Sequence, residues 1–182
     1  MARAAAGLFV FFLGGLAASC LGLEVSDPVF VVPSPGLPLS VRRQLMASNN
    51  NLDMTIAEGR FFMSFRTAPT HFASERTKLF VVSAEMEDAE TVPTDWELEL
   101  EVEIGSDLRE PHFMYLNGTL TFSYFQAGED WYRFEPVAMW RCQRVRFGEW
   151  TEPEIWGADG EIPWAIQVHG DRAYMTSYNG NA

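Results

Sequence analysis

A strand, a glycine-cornered turn and a second strand occur three times along this chain. Residues 52–59 turn into 60–66, 111–118 into 119–125, and 163–170 into 171–178. These runs alternate apolar with polar residues or are rich in aromatic and β-branched ones, as half-buried strands require. Gly59, Gly118 and Gly170 supply the positive φ of a two-residue hairpin turn, and they recur 59 and 52 residues apart. Further strand-like runs separate the copies, 78–84 and 96–104 in the first interval and 137–145 in the second. Four strands per repeat of about 50 residues is the arithmetic of a propeller blade. The expectation is an all-β chain: an incomplete β-propeller of about three four-stranded antiparallel blades over residues 49–182, preceded by an extended segment over 23–48. A β-sandwich with three similar hairpins is the alternative. The third hairpin ends at the last residues, so the reading includes a truncated propeller whose open sheet edge invites self-association.

The clearest single strand is 96–104. Trp96, Leu98, Leu100, Val102 and Ile104 are expected on one face and Glu97, Glu99, Glu101 and Glu103 on a solvated other, at the outer strand of a sheet where like charges discourage edge-to-edge association.

Composition narrows the partners. The 182 residues carry 13 Lys and Arg against 25 Asp and Glu, a formal charge of −12. Phosphate neutralisation needs a basic face, so a nucleic-acid partner is excluded. At the N-terminus Arg3 precedes the apolar run 8–13 and the small residues Ala17, Ala18 and Ser19, which reads as a signal peptide over 1–22. That run is shorter than the ~20 residues of a membrane span, and no other apolar stretch approaches that length, so no spanning segment is expected. Residues 16–20 resemble a lipobox that would acylate Cys20. The protein is placed outside the cell or in its envelope, secreted, periplasmic or lipid-anchored. Cys142 is the one other thiol, which excludes an intramolecular disulfide framework, and it reads as a small core residue. Asn117-Gly118-Thr119 fits a glycosylation sequon, although an Asn-Gly turn is reason enough for the pair. No nucleophile elbow, phosphate loop or zinc motif is present, so no cofactor or metal is expected.

Several stretches resemble the sialidase-like and five-bladed, furanosidase-type glycosidase propellers: residues 63–74, Phe80-Val81-Val82-Ser83, Thr94-Asp95-Trp96-Glu97 and Asp107-Leu108-Arg109-Glu110-Pro111. Ser83 with Thr94-Asp95-Trp96 is similar to a stretched Asp-box, departing from it by an insertion and a missing glycine. Arg109-Glu110-Pro111 is similar to the Arg-Asp-Pro element of five-bladed enzymes, with Glu for Asp. Gly148-Glu149-Trp150 followed by Pro153 looks like the end of a blade's outer strand.

In a propeller the first strands of successive blades converge near the axis. Registering the hairpins on their glycines brings Asp53, Glu110 and Glu161 toward one mouth, a set suited to glycoside hydrolysis. The resemblance implies Asp53 as base or nucleophile, Glu110 as modulator and Glu161 as acid. Each has a plainer alternative: Asp53 capping a turn after Asn49-Asn50-Asn51, Glu110 pairing with Arg109, Glu161 in an acidic loop. Substrate-binding candidates are Arg66, His71, Arg109 and Trp164. Arg66 could instead face outward in a salt bridge, and His71 could merely order its loop. The residues aligned with Arg66 are Phe125 and Tyr178, so the arginine cluster of a true sialidase is not assembled. The functional expectation is a carbohydrate-acting or carbohydrate-binding module. Its alternatives are a non-catalytic glycan- or protein-binding propeller and a structural protein whose hairpins join a partner's sheet.

Overall fold

The computed structural model describes residues 28–86, 92–128 and 135–180. The signal segment 1–22 with Cys20, and Trp131, lie outside them. Three antiparallel sheets, of four, five and two strands, follow one another along the chain. The first contains β1 (Ser48–Ala57), β2 (Arg60–Ala68), β3 (Lys78–Glu85) and β4 (Glu97–Val102), in that spatial order. The second runs from β5 (Asp107–Leu116) through β6 (Thr119–Ala127) to β7 (Pro136–Arg146), whose far edge is shared by β8 (Glu149–Trp150) and β9 (Glu154–Trp156). Pro153, which has no N–H to give, lies in the break between these two short strands. The third sheet pairs β10 (Glu161–His169) with β11 (Arg172–Asn179).

All three expected hairpins form, for the reason the glycines suggest. Glu58-Gly59 has φ of 53° and 73°, and Asn117-Gly118 has φ of 51° and 77°, the two positive values of a type I′ turn. The third corner is positive only at its first residue, Gly170, as in a type II′ turn.

The stretch expected to be extended carries one short helical turn, α1 (Leu39–Arg42). Leu37 and Val41 cover Met63, Phe65, Phe80, Val82 and Trp96 on one face of the first sheet. Close approach is possible because residue 36 is glycine: a Cβ there would stand 2.0 Å from the Thr94 carbonyl oxygen.

The opposite face of that sheet packs on the second. Phe62, Leu79 and Val81 meet Phe113, Leu120, Phe122 and Cys142, and the Phe113 ring lies 6.3 Å from Phe62 and 5.4 Å from Phe122. Each such ring removed from water contributes roughly 1.5–3 kcal/mol. The second sheet's other face packs on the third through Phe125, Ala127, Met139 and Ile162. The first strands follow suit, β1 against β5 and β5 against β10.

β4 is the outer strand, as its glutamates suggest, but its two faces are not as expected. Leu100 pairs with Val81 and Leu98 with Val82, which leaves Glu99 as an extra, bulged residue. A bulge reverses the alternation. Trp96 and Leu98 therefore pack on the N-terminal side, whereas Leu100 and Val102 join the core between the sheets. Glu99 is buried, accepting from Ser83 Oγ (2.8 Å), Gly148 N (2.9 Å) and Arg144 Nε and Nη2 (3.2 and 3.1 Å). Arg144 also reaches Glu58 at 2.6 Å, tying β7 of the second sheet to the first.

Candidate functional site

The first strands of sheets one and two share an irregularity that sequence periodicity does not show. In β1, Asn50 pairs with Arg66 and Asp53 with Ser64, so Asn51 and Leu52 stand opposite the single residue Phe65. In β5, Arg109 pairs with Phe125 and His112 with Ser123, so Glu110 and Pro111 stand opposite Tyr124. Asn51 and Glu110 both have φ of 45°. Asparagine tolerates that conformation; glutamate pays of order 1–3 kcal/mol for it and needs its surroundings to hold it there. Asn51 Nδ2 donates to Glu110 Oε1 at 2.7 Å, closing the seam between the strands. The true structural counterpart of Glu110 is thus Asn51, and that of Asp53 is His112. β10 carries a smaller bulge, with Trp164 as its one extra residue.

Asp53 and Glu110 lie along this seam. Asp53 Oδ2 accepts from Phe113 N at 2.6 Å and stands 3.9 Å from His112 Nδ1. Burial pushes the Asp53 carboxyl above 3.8, opposed by hydrogen bonds from the Phe113 and Met54 amides and by His112. Burial likewise raises Glu110 above 4.5, opposed by Arg109, the Asn51 bond and Arg66. His112 moves below 6.5 because it too is buried, against the pull of Asp53 and of the Pro163 backbone, and its Nε2 is buried without a hydrogen-bond partner. Groups from β1, β5 and β10 thus meet around one imidazole.

Behind the seam Arg66 is wholly buried. Its Nε donates to Leu108 O (3.1 Å), Nη1 to Asn50 Oδ1 and Thr70 O (both 3.3 Å), and Nη2 to Phe72 O (3.0 Å) and Asp107 Oδ1 (2.8 Å). Asp107 is equally buried and also accepts from Thr77 Oγ1 at 2.9 Å and from Arg109 Nε. Arg66 therefore neither faces outward nor presents a fork to a ligand; it locks the loop after β2 onto β5. His71 is exposed, with Nδ1 2.8 Å from Asn50 Nδ2, and its carbonyl accepts from Arg109 Nη2 at 3.4 Å. His71 and Arg109 are thus held at the rim of the same seam.

The third carboxylate is held differently. Glu161 Oε2 accepts from Ala158 N at 2.9 Å and its other oxygen takes the Ser177 hydroxyl, so the carboxyl is lowered by those two bonds against a smaller opposing effect of burial. Glu161 ties the loop before β10 to β11 of the same hairpin. Trp164 is exposed, its ring against Tyr178 at 6.0 Å, beside a cleft of about 420 Å³ lined by Trp164, Thr176, Ser177 and Tyr178.

Asn51, Asp107 and His112 were not singled out in the sequence. The first has a findable signal, because Asn51 and Glu110 each stand eight residues before a turn glycine. Asp107 gives none: its partner Arg66 is 41 residues away. Among the described residues no group of three or more His, Cys, Asp or Glu side chains is arranged to hold a metal. No described helix is long and apolar enough to cross a membrane. The sequence matches no known family model and no curated protein.

Proposed function

We propose that this protein is an exported β-propeller module, of the sialidase-like and five-bladed glycosidase kind, that binds a carbohydrate at the β1–β5 seam and hydrolyses it through Asp53 and Glu110. The blade reading is supported by three sheets in series whose first strands pack on one another. Export rests on the N-terminal segment, with Cys20 as the residue for a lipid anchor.

The observation that carries the chemistry is the placing of two half-buried carboxyls, both raised by burial, on first strands of different sheets. Glycoside hydrolysis needs one carboxylate ionised and another protonated. In this reading Asp53, which accepts from the Phe113 amide and has His112 beside it, serves as the ionised member and Glu110 as the protonated one. Glu110 takes the acid role that the resemblance gave to Glu161, whose carboxyl is lowered and engaged within its own hairpin. A neutral sugar fits better than one bearing a carboxylate, because the Arg66 guanidinium is buried on Asp107.

The test is hydrolysis of a panel of aryl furanosides and pyranosides. Loss of an acid or base typically costs 10²–10⁴-fold. Asp53→Asn and Glu110→Gln should each lower kcat by that order while sugar binding, read by calorimetry, persists. Sugar binding with no turnover by the unaltered protein would make it a glycan-binding module. Neither turnover nor binding would remove the carbohydrate reading altogether and leave the interaction-protein alternative.

A further inference from the structure

Alignment of the three hairpins on their turns shows two equivalent faces, each covered inside the molecule and bare at one end of it. The first comprises alternate residues of the second hairpin strand. In sheet one these are Phe62, Ser64 and Arg66, buried under sheet two; in sheet two they are Thr121, Ser123 and Phe125, buried toward sheet three. The same positions in sheet three are Tyr174, Thr176 and Tyr178, all exposed, with the Trp164 ring on Tyr178. Met175, pointing the other way, packs toward sheet two, as does Ile162, the cross-strand partner of Tyr178 at the far end of the hairpin.

The second face is on the first hairpin strand. In β5, Pro111, Phe113 and Tyr115 occupy it, and Phe113 and Tyr115 pack in the core shared with sheet one. Their counterparts in β1 are Leu52, Met54 and Ile56, uncharged and each 51–57% exposed. The N-terminal stretch covers the neighbouring strands of that face and leaves these three bare.

We infer that two copies of this chain associate head to tail, the Trp164–Tyr174–Tyr178 face of each packing on the Leu52–Met54–Ile56 face of the other, to close a series of six sheets. The contact repeats the one between sheets one and two, where the second-strand face of one sheet packs on the first-strand face of the next. Neither surface carries an exposed charge at these positions, although the chain as a whole is at −12. A two-fold rotation satisfies both ends at once. It also forms two such contacts, so each needs only about half of the ~1,600 Å² that specific complexes bury. The inference rests on the packing of the sheets and not on the chemistry at Asp53 and Glu110.

Two variants test it by sedimentation equilibrium of the purified protein. One carries Met54→Lys and Ile56→Lys, the other Tyr174→Glu and Tyr178→Glu. The unaltered protein should have twice the monomer mass. Each variant alone should be monomeric at the same concentration, its dissociation constant raised at least 100-fold. An equimolar mixture should regain the doubled mass, because one contact is then intact and the other pairs lysines with glutamates. A monomeric unaltered protein, variants that still dimerise, or a mixture that stays monomeric would each overturn the inference. The mixture result separates this contact from a face pairing with itself, which mixing cannot restore. Thermal unfolding of each variant controls for folding, and the milder Ile56→Ser and Tyr178→Ser should shift the dissociation constant in the same direction by about tenfold.

Discussion

Replacing Asp107 by Asn changes little in volume and removes one charge, which isolates the electrostatic part of the network behind the seam. Arg66 and Asp107 have no exposed side-chain surface and stand 2.8 Å apart. Without the carboxylate, the Arg66 guanidinium keeps its carbonyl and amide acceptors but loses its buried counter-charge. Removing one partner of a buried pair costs about 3–5 kcal/mol, a large part of the roughly 5–15 kcal/mol that holds a domain folded. With a urea slope of about 2 kcal/mol/M, the midpoint of unfolding should fall by about 1.5–2.5 M. The loss should persist in 1 M salt, because a pair without solvent contact is little screened. A double-mutant cycle with Arg66→Met should return a coupling of about 2 kcal/mol, near the upper part of what contacting residues show. A midpoint shift below about 0.5 M, or one abolished by salt, would refute the view that this pair locks the loop after β2 onto β5.

Two further outcomes follow from burial. Asp53 and Glu110 are raised above 3.8 and 4.5, so each favours the folded state when protonated, and that contribution is lost as the pH rises through the raised values. Asp53→Asn and Glu110→Gln should therefore exceed the unaltered protein in urea midpoint at about pH 7 and match it near pH 3. His112 is lowered below 6.5, so its contribution is present above that value and lost as the pH falls through the lowered one; His112→Leu should flatten the decline in stability on mild acidification. Cys142 is buried and its thiol is pushed from 9.0 to about 12, which leaves about a thousandfold less thiolate at neutral pH. A thiol reagent should modify it only after urea unfolds the chain; rapid labelling of folded protein would contradict the packing between the sheets.

The Asp53 and Glu110 amides also bear on function. If both substitutions stabilise the chain at neutral pH while abolishing turnover, the two carboxyls are kept at a cost to folding, as is common where activity requires an unfavourable group. Amides that stabilise without touching any activity would make the seam a structural irregularity only.

Hairpins, turns and strand faces were legible to different depths. The Asn117-Gly118 corner was readable because a two-residue turn needs positive φ and glycine supplies it without a steric penalty. β4 was readable as an outer strand from its glutamates, but not the burial of Glu99, because one extra residue in a ladder reverses the faces without altering the local pattern. Registering Asp53 with Glu110 placed both acids on the right strands. It missed that the β1 counterpart of Glu110 is Asn51, because it matched the strands by their carboxylates, Asp53 six and Glu110 eight residues before the turn glycine, and not by equal spacing.

What the amino-acid order determined by itself is local: where strands start and turn, that the chain is all-β, and which hairpins are copies of one another. Turn geometry and side-chain alternation act over a few residues, so a linear reading captures them. Tertiary structure alone decided that Arg66 would be buried on Asp107, that Glu99 would meet Arg144, that His112 would stand between Asp53 and Pro163, and that Glu161 would tie its loop to β11. Those pairings depend on which sheet faces which, and the cost of burying a charge is set by partners that lie tens of residues away.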